Sequence, residues 1–166
     1  MYKRQYLNCL HLQFDLADVF DVQPAARAAL AEPEPWTVVR LEAVPNAAVG
    51  VTGWGPFAAV AADPDSAAAR RFASWPLVAV DSETPGPVPE VAGRMLVIGR
   101  DIHRRPQARA VVDALRADGR TVVVADLGWP SADRRYADIA TFGSSRAVGA
   151  ALLALLTGTE EPSWRS

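Results

Sequence analysis

The chain is poor in the residues that build disulfide and metal chemistry. Its 166 residues hold one cysteine, Cys9, and two histidines, His11 and His103. A lone thiol excludes an internal disulfide framework and any zinc site made of several thiolates. Two imidazoles leave little for a histidine-rich centre, so neither a metal nor a cofactor is expected. No apolar run reaches the ~18 residues a membrane helix needs, and no signal-peptide pattern opens the chain. Excess charge is missing too. The 17 basic and 19 acidic residues leave a formal net charge of −2, which excludes nucleic acid and anionic membranes as expected partners. The length falls well short of the ~250 residues of a typical (β/α)8 barrel. The expectation is one cytoplasmic globular domain.

Lysine is almost absent: arginine supplies sixteen of the seventeen basic residues, and the single lysine is Lys3. The Ala-, Arg-, Gly-, Pro- and Val-rich remainder fits a GC-rich coding sequence, and Met1 to Gln5 breaks that bias. This pentapeptide resembles a translated sequencing-adapter end, so residues 1–5 are read as a scar and the natural chain is expected to extend upstream. Residues 6–35 read as a linker or the remnant of a preceding domain. Within them Pro24 to Leu30 suits a short helix opened by proline, and Ala31-Glu-Pro-Glu-Pro35 punctuates the chain.

From Trp36 the pattern sharpens. Trp36 to Leu41 and Pro76 to Val80 have strand composition; Met95 to Ile98 and Thr121 to Ala125 are continuous apolar runs of buried strands. Pro45 to Pro56 and Ser82 to Pro89 read as loops. Ser66 to Phe72 suits a helix. Ala108, Val111, Val112 and Leu115 give Pro106 to Ala117 one apolar face, which Asp118-Gly119 stops. Ser144 to Leu156 makes a final helix with Ser144-Ser145 at its N-cap. Alternating strands and helices imply right-handed βαβ units. The expected fold is an α/β three-layer sandwich over residues 36–158, with a mainly parallel sheet of four to five strands, helices on both faces and a polar tail from 159 to 166.

In an open parallel sheet, ligands gather outside the carboxyl ends of the strands. Asp81, Asp101 and Asp126 fall at three such ends, where they suit either an acidic ligand-facing edge or ordinary capping of loop N–H groups. His103, two residues after Asp101, is placed for proton transfer beside a carboxylate or for a structural hydrogen bond. Trp54, Trp75 and Trp129 lie in or beside loops and suit stacking on sugar rings or packing. Gly50-Val-Thr-Gly-Trp-Gly55 lacks the lysine of a nucleotide-binding P-loop and no helix is evident after it; no G-x-S-x-G nucleophile elbow occurs.

Three segments carry a resemblance: Val97-Ile-Gly-Arg-Asp-Ile-His-Arg-Arg-Pro106, Val122-Val-Val-Ala-Asp-Leu-Gly-Trp-Pro130 and Ile139-Ala-Thr-Phe-Gly-Ser-Ser-Arg-Ala-Val-Gly149. Together they resemble the C-terminal α/β sandwich domain of family 3 glycoside hydrolases, in the bacterial β-N-acetylglucosaminidase branch. Val39-Arg-Leu41, Ala48-Val-Gly50 and Trp54-Gly55 fit the start of that domain, so the likeness covers roughly residues 36–157. It implies a preceding (β/α)8 barrel of the same parent chain that carries the aspartate nucleophile and, in this branch, a histidine–aspartate acid/base pair on a barrel loop. Neither is present here, so no residue of this chain inherits a catalytic role. In the related β-glucosidase branch the sandwich supplies a glutamate acid/base; Glu83 and Glu90 lie in a suitable loop but match no motif.

The resemblance implies an accessory domain that shapes the carbohydrate cleft of the barrel; on that reading the residues singled out above by strand-end and loop position, Asp81, Asp101, His103, Asp126 and Trp129, are the substrate-edge candidates. The alternatives are a free-standing α/β small-molecule-binding module with an acidic strand-end site, and a flavodoxin-like domain, for which the phosphate loop is lacking. Retaining glycoside cleavage needs two carboxyl groups about 5 Å apart across one bond, and a sandwich without its barrel offers one side at most. The purified chain is therefore expected not to turn over an aryl N-acetylglucosaminide in a chromogenic assay.

Overall fold

A computed structural model describes residues 19–42 and 53–159. The readings of residues 1–18, of Gly50 and its neighbours, and of the tail beyond Thr159 lie outside them. The strands are β1 (Asp21–Val22), β2 (Trp36–Glu42), β3 (Leu77–Asp81), β4 (Arg94–Gly99), β5 (Val122–Asp126) and β6 (Ile139–Ala140). The helices are α1 (Pro24–Ala31), α2 (Gly55–Ala62), α3 (Ala67–Ala73), α4 (Pro106–Ala117) and α5 (Arg146–Thr157).

The strands form one six-stranded sheet in the order β1-β6-β5-β4-β2-β3. All neighbours are parallel except the β1–β6 pair. The α/β sandwich read from the sequence is thus the fold, with six strands in place of four to five. The two extra strands have two residues each, too short to leave a hydrophobic period.

The apolar strands are covered on both faces. All of β4 is buried. On one face Trp36, Val38, Leu96, Ile98, Val123 and Ala125 pack with Ala26 of α1, Ala59 of α2, Ala68 and Phe72 of α3 and Leu152 and Leu156 of α5. On the other, Val39, Leu41, Met95, Val97 and Val124 pack against Ala108, Val111, Val112 and Leu115 of α4. These last four are the i, i+3, i+4, i+7 set that predicted the helix.

Two segments differ from the sequence reading. Residues 20–31 are integral to the domain: β1 pairs with β6, and Phe20 and Ala26 are buried in the core. Arg94 bolts the following Pro-Glu-Pro turn down. Its guanidinium lies 4.1 Å over the Trp36 ring and donates to the carbonyls of Ala29, Glu32 and Glu34, so a cation satisfies the end of α1. The Gly-rich stretch, read as a loop with no helix after it, opens α2 at Gly55. Its glycine serves packing: a Cβ on Gly149 of α5 would overlap the Gly55 carbonyl, and one on Gly55 would meet the Leu127 side chain. Ser145 caps α5, accepting from Val148 N–H at 3.2 Å.

Because α2 and α5 meet through this glycine contact, Gly149→Ala forces them apart. The expected loss is about 1–3 kcal/mol, the usual cost of overpacking, read as a lower urea midpoint with unchanged m-value.

Candidate functional site

The carboxyl ends of β4 and β5 open into two loops tied together by one side chain. Asp126, the last residue of β5, is fully buried. Its Oδ1 accepts from the N–H groups of Asp101 and Gly128, both at 2.8 Å, and its Oδ2 from Ile102 N–H at 3.2 Å. Burial pushes the Asp126 carboxyl above its ordinary value; the three N–H bonds oppose that shift and the nearby Asp101 charge adds to it. Asp101 returns the tie: its Oδ1 accepts from Trp129 N–H at 3.0 Å. The approach is so close that a Cβ on Gly128 would overlap Asp101.

The three aspartates are therefore not one acidic edge. Asp101, Asp126 and Trp129 come together, with both carboxylates occupied by backbone donors as staples of the loops. Asp81 stands at the end of β3, separated from β4 by β2. Its Oδ1 accepts from Glu83 N–H at 2.8 Å, and that bond, with others from Thr84, holds its carboxyl below the ordinary range. His103 sits on a single 3-10 turn, Ile102–Arg104. Its Nε2 accepts from Arg104 Nε at 3.4 Å, its Nδ1 has no partner among the described residues, and Asp101 is turned to Trp129 instead. Glu83 is ion-paired with Arg105 at 2.8 Å, which fastens the β3–β4 crossover to the 3-10 turn.

What this scaffold presents is aromatic. Trp129 is 66% exposed and Phe142 40%, and their rings meet edge to face with centroids 5.6 Å apart. The Arg134 guanidinium lies 5.2 Å from the Phe142 ring and is held by Asp21 at 2.8 Å. Among the described residues the non-glycine positions with left-handed backbone are Asp101, Arg134 and Phe142, with φ of 51°, 55° and 54°. Such conformations are uncommon outside glycine and gather where surrounding structure holds them for a purpose. All three border this surface. The other two loop tryptophans are buried: Trp54 and Trp75 are each 8% exposed, and both pack in the core cluster.

Sequence reasoning pointed to Trp129 and missed Phe142 and Arg134. The available signal was an aromatic residue immediately before Gly143 in the loop between β6 and α5. A groove of about 560 Å³ between α2, α3 and α5 is lined by Ala59, Ser66, Ala147 and Leu153 among others and includes none of the sequence candidates. Among the described residues no group of three or more His, Cys, Asp or Glu is arranged to hold a metal ion, and no helix is long and apolar enough to cross a membrane. In comparisons with known proteins, no family model, curated protein or solved structure matches the chain.

The Asp126 staple has a pH signature. An acid whose folded value lies above its unfolded one takes up protons on folding. Its contribution therefore falls as pH rises from the ordinary 3.8 through the raised value, and the full cost of the buried charge persists above that window. Asp126→Asn turns an amide N–H against a backbone donor, a loss of about 1–3 kcal/mol. Denaturant titrations across pH are expected to show the variant's deficit largest at acid pH and narrowing toward neutrality. Taking the difference between the two proteins cancels Asp81 and Asp133, whose lowered values act with the opposite sign.

Proposed function

We propose that the chain is the accessory C-terminal domain of a family 3 glycoside hydrolase of the β-N-acetylglucosaminidase type, shaping the carbohydrate cleft of a catalytic (β/α)8 barrel in a cytoplasmic parent enzyme. The observation that carries this reading is the exposed Trp129–Phe142 pair, held by strained backbone at the carboxyl edge of the sheet. A rigid aromatic face suits the apolar C–H face of a pyranose ring and resists collapse into the core. Arg134 beside it supplies hydrogen-bond donors toward hydroxyl or acetamido oxygens.

The carboxylates fit a supporting role. Asp101 and Asp126 are engaged by backbone N–H groups, so neither is free to act as the acid or the nucleophile of a retaining pair. The apolar edge beside β3 fits contact with another domain. Leu77 is 53% exposed, and a groove of about 250 Å³ lined by Phe57, Val60, Phe72, Trp75 and Leu77 opens there.

The test is titration of the purified chain with N-acetylglucosamine oligomers, followed by NMR shifts of the tryptophan indole N–H signals. Weak saturable binding, with Kd around 1 mM (a free energy of only about −4 kcal/mol), is expected at Trp129 and is lost in Trp129→Ala. The same variant is expected to keep its unfolding midpoint because the ring is exposed. Binding that survives removal of both aromatics, or turnover by the chain alone, overturns the proposal.

A further inference from the structure

A second feature at the carboxyl edge has no part in that reading and does not depend on it. From β2 the chain runs through α2 and α3 to β3 on one side; from β4 it runs through α4 to β5 on the other. The crevice between the carboxyl ends of β2 and β4 is thus the point where strand order reverses, the usual place for a ligand in an open α/β sheet. Trp129 and Phe142 stand farther along the edge, beyond β5.

Arginine occupies this crevice. Arg40, in the middle of β2, has a side chain only 12% exposed. Its guanidinium lies 4.3 Å from the Phe57 ring and 5.6 Å from Trp54. Arg100, which follows β4, places its guanidinium 5.0 Å from the same Trp54 ring. Two cations therefore converge on one indole at the first turn of α2.

One acid faces them. Glu42 Oε2 approaches Arg40 Nη2 to 2.5 Å, yet Nε and Nη2 of Arg40 are both buried and make no hydrogen bond among the described residues. The ion pair is close but misaligned. It neutralises one arginine charge and covers the Nη2 end of the Nε–Nη2 edge, the planar fork that takes two oxygens at once, while Nε is left without an acceptor. A buried donor without an acceptor is rare and marks a place able to take one up, and Arg100 adds a charge that Glu42 does not cancel.

We propose that this crevice binds a small oxyanion, a carboxylate or phosphate group, which displaces the Glu42 carboxylate from Nη2 and sits bidentate on the Nε–Nη2 edge of Arg40, with Arg100 closing over it from Trp54. Glu42 and the ligand contend for the same guanidinium, so the acid sets the affinity.

The probes are sodium acetate and inorganic phosphate, each titrated against chloride at matched ionic strength. The readouts are the arginine Nε–H and tryptophan indole signals by NMR, with calorimetry in parallel. Saturable shifts of Arg40 and Trp54 with either probe are expected, and the probe bound more tightly identifies the natural group as carboxylate or phosphate. Arg100→Gln, an exposed position, is expected to weaken binding about tenfold while leaving the unfolding midpoint in place. Glu42→Gln is expected to tighten binding, because the competitor is gone. A purely structural Arg40–Glu42 pair predicts the reverse, a destabilised Glu42→Gln protein with no anion response. That result overturns the proposal, as does equal binding by wild type and Arg100→Gln. None of these outcomes bears on the Trp129 surface, so this inference and the accessory-domain reading fail separately.

Discussion

The carboxyl edge of this sheet is organised by one buried negative charge. Asp126 ends a strand whose neighbours leave it no water, and its oxygens are spoken for by N–H groups from the loop after β4 and the loop after β5. Removing a carboxylate from water is costly, and backbone donors offset that cost only if both loops take one geometry. The left-handed backbone at Asp101 and the contact that forbids a side chain at Gly128 follow from it. So does the position of Trp129, whose own N–H is held by Asp101. An exposed indole on an anchored backbone loses little freedom when something stacks on it.

The edge divides its labour by residue type. Carboxylates hold the loops, aromatic rings face outward beyond β5, and arginines line the reversal point between β2 and β4. None of the strand-end acids described here is both unengaged and paired with another. On our proposed reading the chemistry belongs to a barrel that meets this edge, and the apolar ground around Leu77 is part of what such a neighbour covers.

Much of the fold was legible because the relevant signals are local. Continuous β-branched runs marked β2, β4 and β5, and a single amphipathic stripe marked α4 with its proline start and Asp-Gly stop. α2 was hidden because it is apolar almost all round, with Ala and Gly where it meets α5. The β1–β6 pair was hidden because two-residue strands exist only through their partner. Residues 20–35 looked like a linker because their anchor, Arg94, lies sixty residues away in sequence.

The site divides along the same line. By itself the sequence placed Asp81, Asp101 and Asp126 at the carboxyl ends of strands in an α/β sheet and Trp129 in a loop, since strand-end positions follow from the order of elements. Only the tertiary structure decided what each would do there. Whether an aspartate is a reactive group or a staple depends on which N–H groups meet it, and Asp126 is met by three from residues on two loops. Whether a tryptophan is a core anchor or a platform depends on what covers it, and Trp54 and Trp129 differ for that reason alone. Arg40 carried no signal at all. A charged residue inside a strand acquires meaning from the rings and the acid that enclose it, and those are assembled by packing.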